Sequence, residues 1–339
     1  MIRFLYGIIF ATIVFLSVEI FAENVNSKPQ NKTFSGVKSP STDVTVKSLM
    51  REDYPYEKIK FKEIYNNNKL EGLVRGYYRN GNLKSETIYK DSKLDGFVKV
   101  YYENGNLKYE GSYKNGKREG LEKTYYENGN LEGEILYKDG EVDGCVRIYY
   151  DNGNLQYEGN YKDGKRDGLE KTYFENGNLK GEILYKDDDV NGFGRIYYDN
   201  GNLQYEGIYN SGKQEGLKKT YFENGNIKSA EIYKNGKRNG LLIMYYTNKN
   251  LAEEAIFRDD KLDGFKKVYY KNGNLQYDAT YKNGKLDGLW RGYGENGNLL
   301  ADITFKNSVP VSGYMYDMYG NKKTMTNAHL HNMTKDLEF

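Results

Sequence analysis

Hydrophobic and polar residues alternate along short stretches of this chain, and each stretch ends at a turn that contains glycine. The stretch 121–137 reads LEKTYYENGNLEGEILY. Its period of two, with aromatic and β-branched residues, predicts two β-strands. Asn128–Gly129 stands between them and predicts a tight hairpin turn of the primed type, with positive φ at both central residues.

A second turn, such as 114–117, leads to a glycine that is present in every copy of the pattern. A glycine fixed in this way predicts a positive φ or a β-bulge. Gly111 lies on a strand face and is expected to let a large ring lie across the backbone. Each unit is therefore predicted to hold two antiparallel strands and two turns. The recurring glycines are Gly72, Gly96, Gly120, Gly144, Gly168, Gly192, Gly216, Gly240, Gly264 and Gly288.

The pattern returns every 24 residues, in ten copies without a gap. A period of roughly 20 to 50 residues predicts a repeat architecture, in which each copy packs only on its neighbours. The predicted fold class is all-β: an elongated antiparallel β-meander or open solenoid of 24-residue, two-stranded repeats. With a degenerate copy before them, the strands should number on the order of 20 and extend over roughly 100 Å. The copies begin at Tyr77, Tyr101, Tyr125, Tyr149, Tyr173, Tyr197, Tyr221, Tyr245, Tyr269 and Tyr293.

The N-terminus differs from the repeats. Arg3 precedes an apolar stretch over 4–18, which is typical of a secretory signal that ends at Ala22. An uncleaved membrane anchor is the alternative, although Glu19 leaves the stretch short for a hydrocarbon layer of about 30 Å. The predicted location is therefore outside the cytoplasm: periplasm, cell surface or medium. The predicted segments are a signal peptide over 1–22, a flexible linker over 23–52, an array of about 11 copies over 53–320 and a tail over 321–339.

Charge and repetition argue against several classes of function. The chain has 50 basic and 48 acidic residues, and the two signs alternate along the repeats. Nucleic-acid binding is not expected, because it needs clustered cations. One carboxylate recurs in successive copies, which favours cross-strand pairs with Lys or Arg over catalytic pairs. An enzyme is not predicted, and no catalytic residue, cofactor or metal is assigned. These carboxylates are Glu86, Glu110, Glu134, Glu158, Glu182 and Glu206.

Three local motifs resemble ligand sites but lack the required context. Segment 292–297 fits G-x-G-x-x-G, yet it lies across a strand and a turn rather than opening a helix. Segment 187–192 resembles the start of a calcium loop, but its twelfth position is Tyr198 instead of glutamate. His329 and His331 stand in the tail without further ligands. We therefore expect solvated tail histidines and structural turns.

Cys145 is the single cysteine, so an intrachain disulfide is impossible. Other copies have Leu or Phe at its position, so Cys145 is expected to be a small core residue. The equivalent residues are Leu73, Phe97, Leu121, Leu169, Phe193, Leu217, Leu241, Phe265 and Leu289.

Tyrosine is the best candidate for a binding surface, because both faces of the predicted sheet carry rings. Inward rings are expected to form the core. The second aromatic residue of each pair lies on the opposite face, and exposed aromatic rows mark interaction sites. The candidate binding face consists of Tyr102, Tyr126, Tyr150, Phe174, Tyr198, Phe222, Tyr246 and Tyr270.

The segment 109–120, YEGSYKNGKREG, resembles the MORN repeat (membrane occupation and recognition nexus). It is closer still to the bacterial variant of that repeat, in which ENGNL follows a tyrosine pair, as in 103–107. The common repeat has a second glycine two residues after the loop glycine, where this chain has Glu122. The resemblance covers about residues 54–320. It implies partner binding, scaffolding or lipid contact, and some bacterial members are labelled antitoxin-like.

The sequence thus predicts an exported, non-enzymatic repeat scaffold that binds a partner protein through a Tyr-rich sheet face. One alternative is a module for cell wall or glycan, with rings that stack on sugars; a membrane surface is a further possible partner. Trp290 is the single tryptophan, which weakens the glycan hypothesis. The other alternative, an antitoxin or immunity-like partner of a toxin, comes from the resemblance alone. The oligomeric state is left open.

Overall fold

The structure is a computed structural model that describes residues 47–52 and 60–330, with side chains from residue 66 onward. The predicted signal peptide, most of the predicted linker and His331 lie outside the described residues. The strand over 47–52 begins the sheet inside the segment that the sequence assigns to the linker.

The described residues form one antiparallel sheet of 27 strand segments. Each strand pairs with the next one along the chain, so the predicted all-β meander is confirmed. In three places two segments are parts of one strand, separated by a single residue. The segments are β1 (Lys47–Glu52), β2 (Lys60–Asn66), β3 (Lys69–Leu70), β4 (Gly72–Tyr77), β5 (Leu83–Lys90), β6 (Lys93–Tyr101), β7 (Leu107–Lys114), β8 (Lys117–Arg118), β9 (Gly120–Tyr125), β10 (Leu131–Lys138), β11 (Glu141–Tyr149), β12 (Leu155–Lys162), β13 (Lys165–Arg166), β14 (Gly168–Tyr173), β15 (Leu179–Lys186), β16 (Asp189–Tyr197), β17 (Leu203–Asn210), β18 (Lys213–Tyr221), β19 (Ile227–Lys234), β20 (Lys237–Tyr245), β21 (Leu251–Arg258), β22 (Lys261–Tyr269), β23 (Leu275–Lys282), β24 (Lys285–Tyr293), β25 (Leu299–Lys306), β26 (Val309–Tyr316) and β27 (Lys322–Thr324).

The two hairpin turns of each copy are present, but the type of one turn differs from the prediction. The turn at Asn115–Gly116 has positive φ at both residues, 50° and 83°, as a primed turn requires. At Asn128–Gly129 only the glycine has positive φ, so the prediction of a primed turn there was wrong. Asn128 instead accepts a hydrogen bond from the Asn130 amide at 2.8 Å. Hydrogen bonds from the backbone to asparagine side chains stabilise this longer turn, whereas the primed turn depends on positive φ at its two central residues.

The recurring glycine has the positive φ that the sequence predicts, and steric crowding adds a second reason for it. Gly144 has a φ of 133°. A Cβ there would lie 2.6 Å from Leu136 Cδ2 on the neighbouring strand. The pairing of β10 with β11 also shifts in register between Ile135 and Tyr137. The glycine therefore permits both the irregular register and the close approach of the Leu136 side chain.

The two faces of the sheet differ in burial. We call the inner face the one that carries Val98, Val146 and Ala255, which have no exposed surface. Side chains at alternating positions form the outer face, which is more exposed. On the inner face, a Cβ on Gly111 would lie 2.6 Å from the Tyr109 hydroxyl oxygen. The prediction that a ring lies across this glycine is therefore confirmed.

The described part of the array ends in a cap. Residues after β26 add the short β27 and a helical turn over 327–330. Met325 and Leu330 are buried against Ile303 and Phe305 on the inner face. They cover the apolar end of the sheet, which would otherwise face water.

Cys145 does not lie in the core, so that prediction was wrong. It is a half-buried free cysteine on the outer face, next to the fully buried Val146 on the inner face. Leu121 at the equivalent position is 47% exposed. Apolar residues at this position in every copy suggested a core position, but Leu121 pairs across strands with Leu136 on the open face, where both side chains are exposed.

Candidate interaction surface

A ladder of charged residues and tyrosines crosses the outer face. The Lys123 ammonium lies 3.4 Å from the Glu134 carboxylate on the next strand. Arg195 pairs in the same way with Glu182 at 3.1 Å, and Arg291 pairs with Asp278 at 2.7 Å. The predicted cross-strand pairing of the recurring carboxylate is therefore confirmed. Such exposed pairs contribute roughly 0.2–1 kcal/mol each, so they fix register more than they stabilise the sheet.

In eight of the ten copies, the tyrosine that begins the copy donates a hydrogen bond to a carboxylate of this ladder. Tyr125 donates a hydrogen bond to Glu110 at 2.8 Å, and Tyr221 donates to Glu206 at 2.7 Å. Burial and the hydrogen bond to the carboxylate raise the pKa of Tyr125 to about 12. The Tyr221 hydrogen bond, assisted by Lys219, lowers the pKa of Glu206. The outer face thus presents phenols, carboxylates and cations in a fixed order.

An apolar stripe runs beside the ladder on the same face. Some of its members pair across strands with each other, as Leu217 does with Ile232, whereas Phe97, Phe265 and Leu289 pair with Ser112, Thr280 and Thr304. Ile208 is 51% exposed and Leu217 is 44% exposed. Apolar side chains that form a contiguous exposed row mark an interaction surface in soluble proteins. The large members with the most exposure are Phe97, Leu121, Leu136, Ile208, Leu217, Ile232, Phe265 and Leu289.

The ladder is interrupted where Ala230 on β19 faces Ile243 on β20. The acid of this copy has moved by one residue, to Glu231, which lies on the inner face. There Glu231 pairs with Lys218 at 3.2 Å and accepts a hydrogen bond from Tyr233 at 3.0 Å. A shift of one residue along a strand exchanges the two faces. At this point two positions of the ladder are therefore apolar, Ala230 and Ile243, and they extend the apolar stripe on the outer face.

The candidate tyrosines from the sequence hold neighbouring copies together. Tyr102 lies just after β6, is half-buried, and donates a 2.8 Å hydrogen bond to the Tyr125 carbonyl oxygen of the next copy. Lys108 lies over the Tyr102 ring, at 5.2 Å from its centroid. Phe174 and Phe222 have no hydroxyl to donate. The same bond is made by Tyr126, Tyr150, Tyr198, Tyr246 and Tyr270. Binding of a partner by this row stays a prediction.

The inner face contains a polar network that sequence reasoning missed. Glu122 is 6% exposed and accepts a hydrogen bond from Tyr109 at 2.8 Å. Arg118 lies 3.3 Å from the same carboxylate and donates to the Tyr137 hydroxyl at 2.7 Å. Burial raises the pKa of Glu122, although Arg118 and the Tyr109 hydrogen bond oppose the shift.

The same network recurs 48 residues later. Tyr157 donates to Glu170 at 3.1 Å, and burial raises the pKa of that carboxyl as well. Copies 101–148 and 149–196 match at 36 of 48 positions. The sequence feature that could have indicated this network is Glu122, which stands where the common repeat has glycine. Val98 and Val146, which are also buried, occupy the equivalent position in the copies that precede these two glutamates.

The motifs that resemble ligand sites serve other purposes in the fold. Asp188, in the calcium-like segment, accepts hydrogen bonds from the backbone amide and the side chain of Arg166 at 3.0 and 3.1 Å. His329 accepts a hydrogen bond from the Thr326 amide at 3.4 Å. Among the side chains that the structure describes, over 66–330, no three His, Cys, Asp or Glu residues converge as metal ligands. No helix in the described part of the chain is long and apolar enough to cross a membrane.

The fold and this surface define a repeat protein built from one open antiparallel sheet. The model of the MORN repeat variant matches the chain nine times, and the chain belongs to this family. None of the curated proteins matches the sequence. The matched ranges pass over 236–261, which includes Ile243. They are 70–91, 94–115, 118–139, 142–163, 166–187, 194–211, 214–235, 262–283 and 286–307.

Proposed function

We propose that this chain is an exported, non-enzymatic scaffold that binds a partner protein through its outer face. Repeats of this family often serve in binding or scaffold roles and are generally non-catalytic. The observation that carries the proposal is the exposed apolar stripe beside the tyrosine ladder. Water-exposed Leu, Ile and Phe are stabilised when a partner covers them, at about 25 cal/mol per Å² of apolar area.

The order of residue types on this face suits a protein partner. Interfaces between proteins combine an apolar centre with tyrosine, arginine and a polar rim. The apolar stripe supplies the centre, and the Tyr125–Glu110 and Arg195–Glu182 contacts of the ladder supply the rest. The surface extends along the sheet, so a partner of extended shape can contact several copies at once.

Export rests on the sequence at the N-terminus, where Arg3 precedes the apolar stretch. We expect cleavage after Ala22 in the cell that produces the protein. Determination of the N-terminal residue of the mature protein tests this step. A mature chain that begins at Glu23 supports it, whereas retention of residues 1–22 in a membrane fraction contradicts cleavage.

The binding step is tested by affinity capture with the full chain as bait, followed by titration of the captured protein. The test variant carries Phe97→Ser, Leu121→Ser and Leu136→Ser, all at exposed outer-face positions. A matched control carries Lys114→Ser, Lys162→Ser and Lys234→Ser at a hairpin edge. The affinity should fall at least tenfold for the test variant and stay unchanged for the control. Capture of wall polymer without protein, or equal affinities, contradicts the proposal.

A further inference from the structure

The interruption of the ladder creates an ordered row across four strands. Lys219 on β18 faces Ala230 on β19, Ala230 faces Ile243 on β20, and Ile243 faces Glu254 on β21. The centre of the row is apolar, and its two ends carry opposite charges. Within the chain, Lys219 pairs outward with Glu206 at 3.2 Å, and Glu254 pairs outward with Lys267 at 3.7 Å.

This row is complementary to itself. A two-fold axis that runs parallel to the strands, above the line between β19 and β20, reverses the order of the strands in a second copy. It places Lys219 over Glu254 of the second copy, and Ala230 over Ile243 of the second copy. The contact is isologous, because each pair then occurs twice.

We propose that a second copy of this chain docks on the outer face around Ala230 and Ile243, related by that two-fold axis. The inference goes beyond the proposed function, because it concerns association of the chain with itself. Two sheets packed face to face lie about 10 Å apart with nearly aligned strands, so side chains of both outer faces interdigitate.

The complementarity continues on both sides of the centre. The same axis places Glu206 on β17 over Lys267 of the second copy, on its β22. It also places Arg195 on β16 over Asp278 of the second copy, on its β23. In the stripe, Leu217 meets Ile256 of the second copy, and Ile232 meets Leu241 of the second copy. In the ladder, opposite charges therefore meet opposite charges, and in the stripe, apolar side chains meet apolar side chains.

The area available is that of a stable interface. Eight strands, β16 to β23, at spacings of about 4.8 Å and lengths of about 25 Å give a face of roughly 900 Å² per copy. A standard interface buries about 800 Å² on each partner. The outer face from β4 to β15 stays outside this contact and is free for another protein.

The two-fold axis could lie above other pairs of strands that have the ladder on both sides. Among these positions, only the one between β19 and β20 has no charged residue at the centre of the interface. An axis between β10 and β11 would bury Glu134 and Arg147 at the centre of the interface. Removal of such ions from water costs several kcal/mol for each ion, which their mutual attraction barely offsets. Ala230 and Ile243 carry no such cost, which is why the docking site lies there.

The test is sedimentation equilibrium of the full chain at concentrations of about 1–100 μM, a range that brackets interfaces of this size. The wild-type chain should be a dimer. The pair Ala230→Glu with Ile243→Lys restores the ladder of the other copies and should weaken self-association at least tenfold. Lys219→Glu places two carboxylates opposite each other and should weaken it as well. The double change Lys219→Glu with Glu254→Lys should restore it. Thermal unfolding of each variant verifies that it is folded.

Each result supports or overturns the inference. A wild-type chain that is monomeric over the whole range overturns it, and so does a ladder-restoring variant that dimerises like the wild type. Failure of the double charge reversal to rescue Lys219→Glu overturns the two-fold arrangement. A monomer that still binds its protein partner leaves the proposed function intact, whereas a dimer that binds no other protein contradicts that function alone.

Discussion

The hydroxyl group of Tyr126 donates a 2.7 Å hydrogen bond to the backbone carbonyl oxygen of Tyr149, which begins the next copy. In repeat proteins the contacts between neighbouring copies decide the stability of the array. Tyr126→Phe should therefore lower the free energy of unfolding by about 1 kcal/mol, the usual contribution of one such bond. Urea unfolding followed by circular dichroism measures the change.

The chain supplies a reciprocal control for this prediction. Phe174 occupies the equivalent position without a hydroxyl, so Phe174→Tyr should gain stability where Tyr126→Phe loses it. Equal unfolding midpoints for all three proteins would show that the hydroxyls do not join the copies. If Tyr126→Phe instead impaired only partner binding, the row predicted from the sequence would be the binding site.

Gly144 is required both by its backbone conformation and by the Leu136 side chain beside it. Gly144→Ala should cost about 2–4 kcal/mol, since strain at positive φ adds to overpacking. Gly153→Ala is the matched control, because Gly153 has a φ of 86° and no heavy atom near the added Cβ. Its cost should be about 1–2 kcal/mol, from strain alone. Equal costs would mean that the contact with Leu136 is unimportant.

The buried carboxylate of Glu122 should make stability depend on pH. Burial raises the pKa of Glu122 in the folded chain. Its contribution to stability is therefore fully present below the unfolded pKa of about 4.3 and is lost as pH rises through the raised folded pKa. Glu122→Gln should remove this loss, and urea unfolding at a series of pH values measures it.

Glu206 is the control of opposite sign. The hydrogen bond from Tyr221 lowers the pKa of Glu206, so its contribution is present above the unfolded pKa and is lost as pH falls through the folded pKa. Glu206→Gln should therefore change the acid side of the stability profile. The same pH profile for both variants would contradict the assignment of Glu122 to a buried site.

The face assignment of Cys145 can be checked by its reactivity. Cys145 is half-buried on the outer face, while Val146 has no exposed surface. The folded wild-type chain should therefore react with a maleimide. A chain with Cys145→Ser and Val146→Cys should react only after unfolding, with a rate at least tenfold lower in the folded state. Equal rates for the two thiols would contradict the inner and outer faces.

Repetition explains why the fold could be predicted from the sequence. Every copy has the same alternation of residues, the same turn residues and the recurrent glycine, such as Gly144. The prediction of strands and turns therefore rests on ten occurrences of the same pattern. The faces were harder to assign. Leu121 and Leu136 are apolar although they lie on the open face, because a single-layer sheet leaves one side without a covering layer.

The candidate site was harder still, because it depends on departures from the repeat. Glu122 is charged yet buried, and Arg118 and Tyr109 compensate its burial. Because the acid of this copy is shifted by one residue along the strand, Glu231 lies on the inner face and Ala230 takes the place of the acid on the outer face. Only the pairing of Ala230 with Ile243 across two strands reveals that the ladder is interrupted.

The outer-face stripe is where we expect a partner protein to bind. Carbene footprinting of the chain, alone and with its captured partner, measures this contact residue by residue. Leu121 and Leu136 should become protected, while Lys114 and Lys162 at the hairpin edge stay labelled. Protection confined to Tyr102 and its equivalents, with Leu121 and Leu136 unchanged, would show that the partner binds elsewhere.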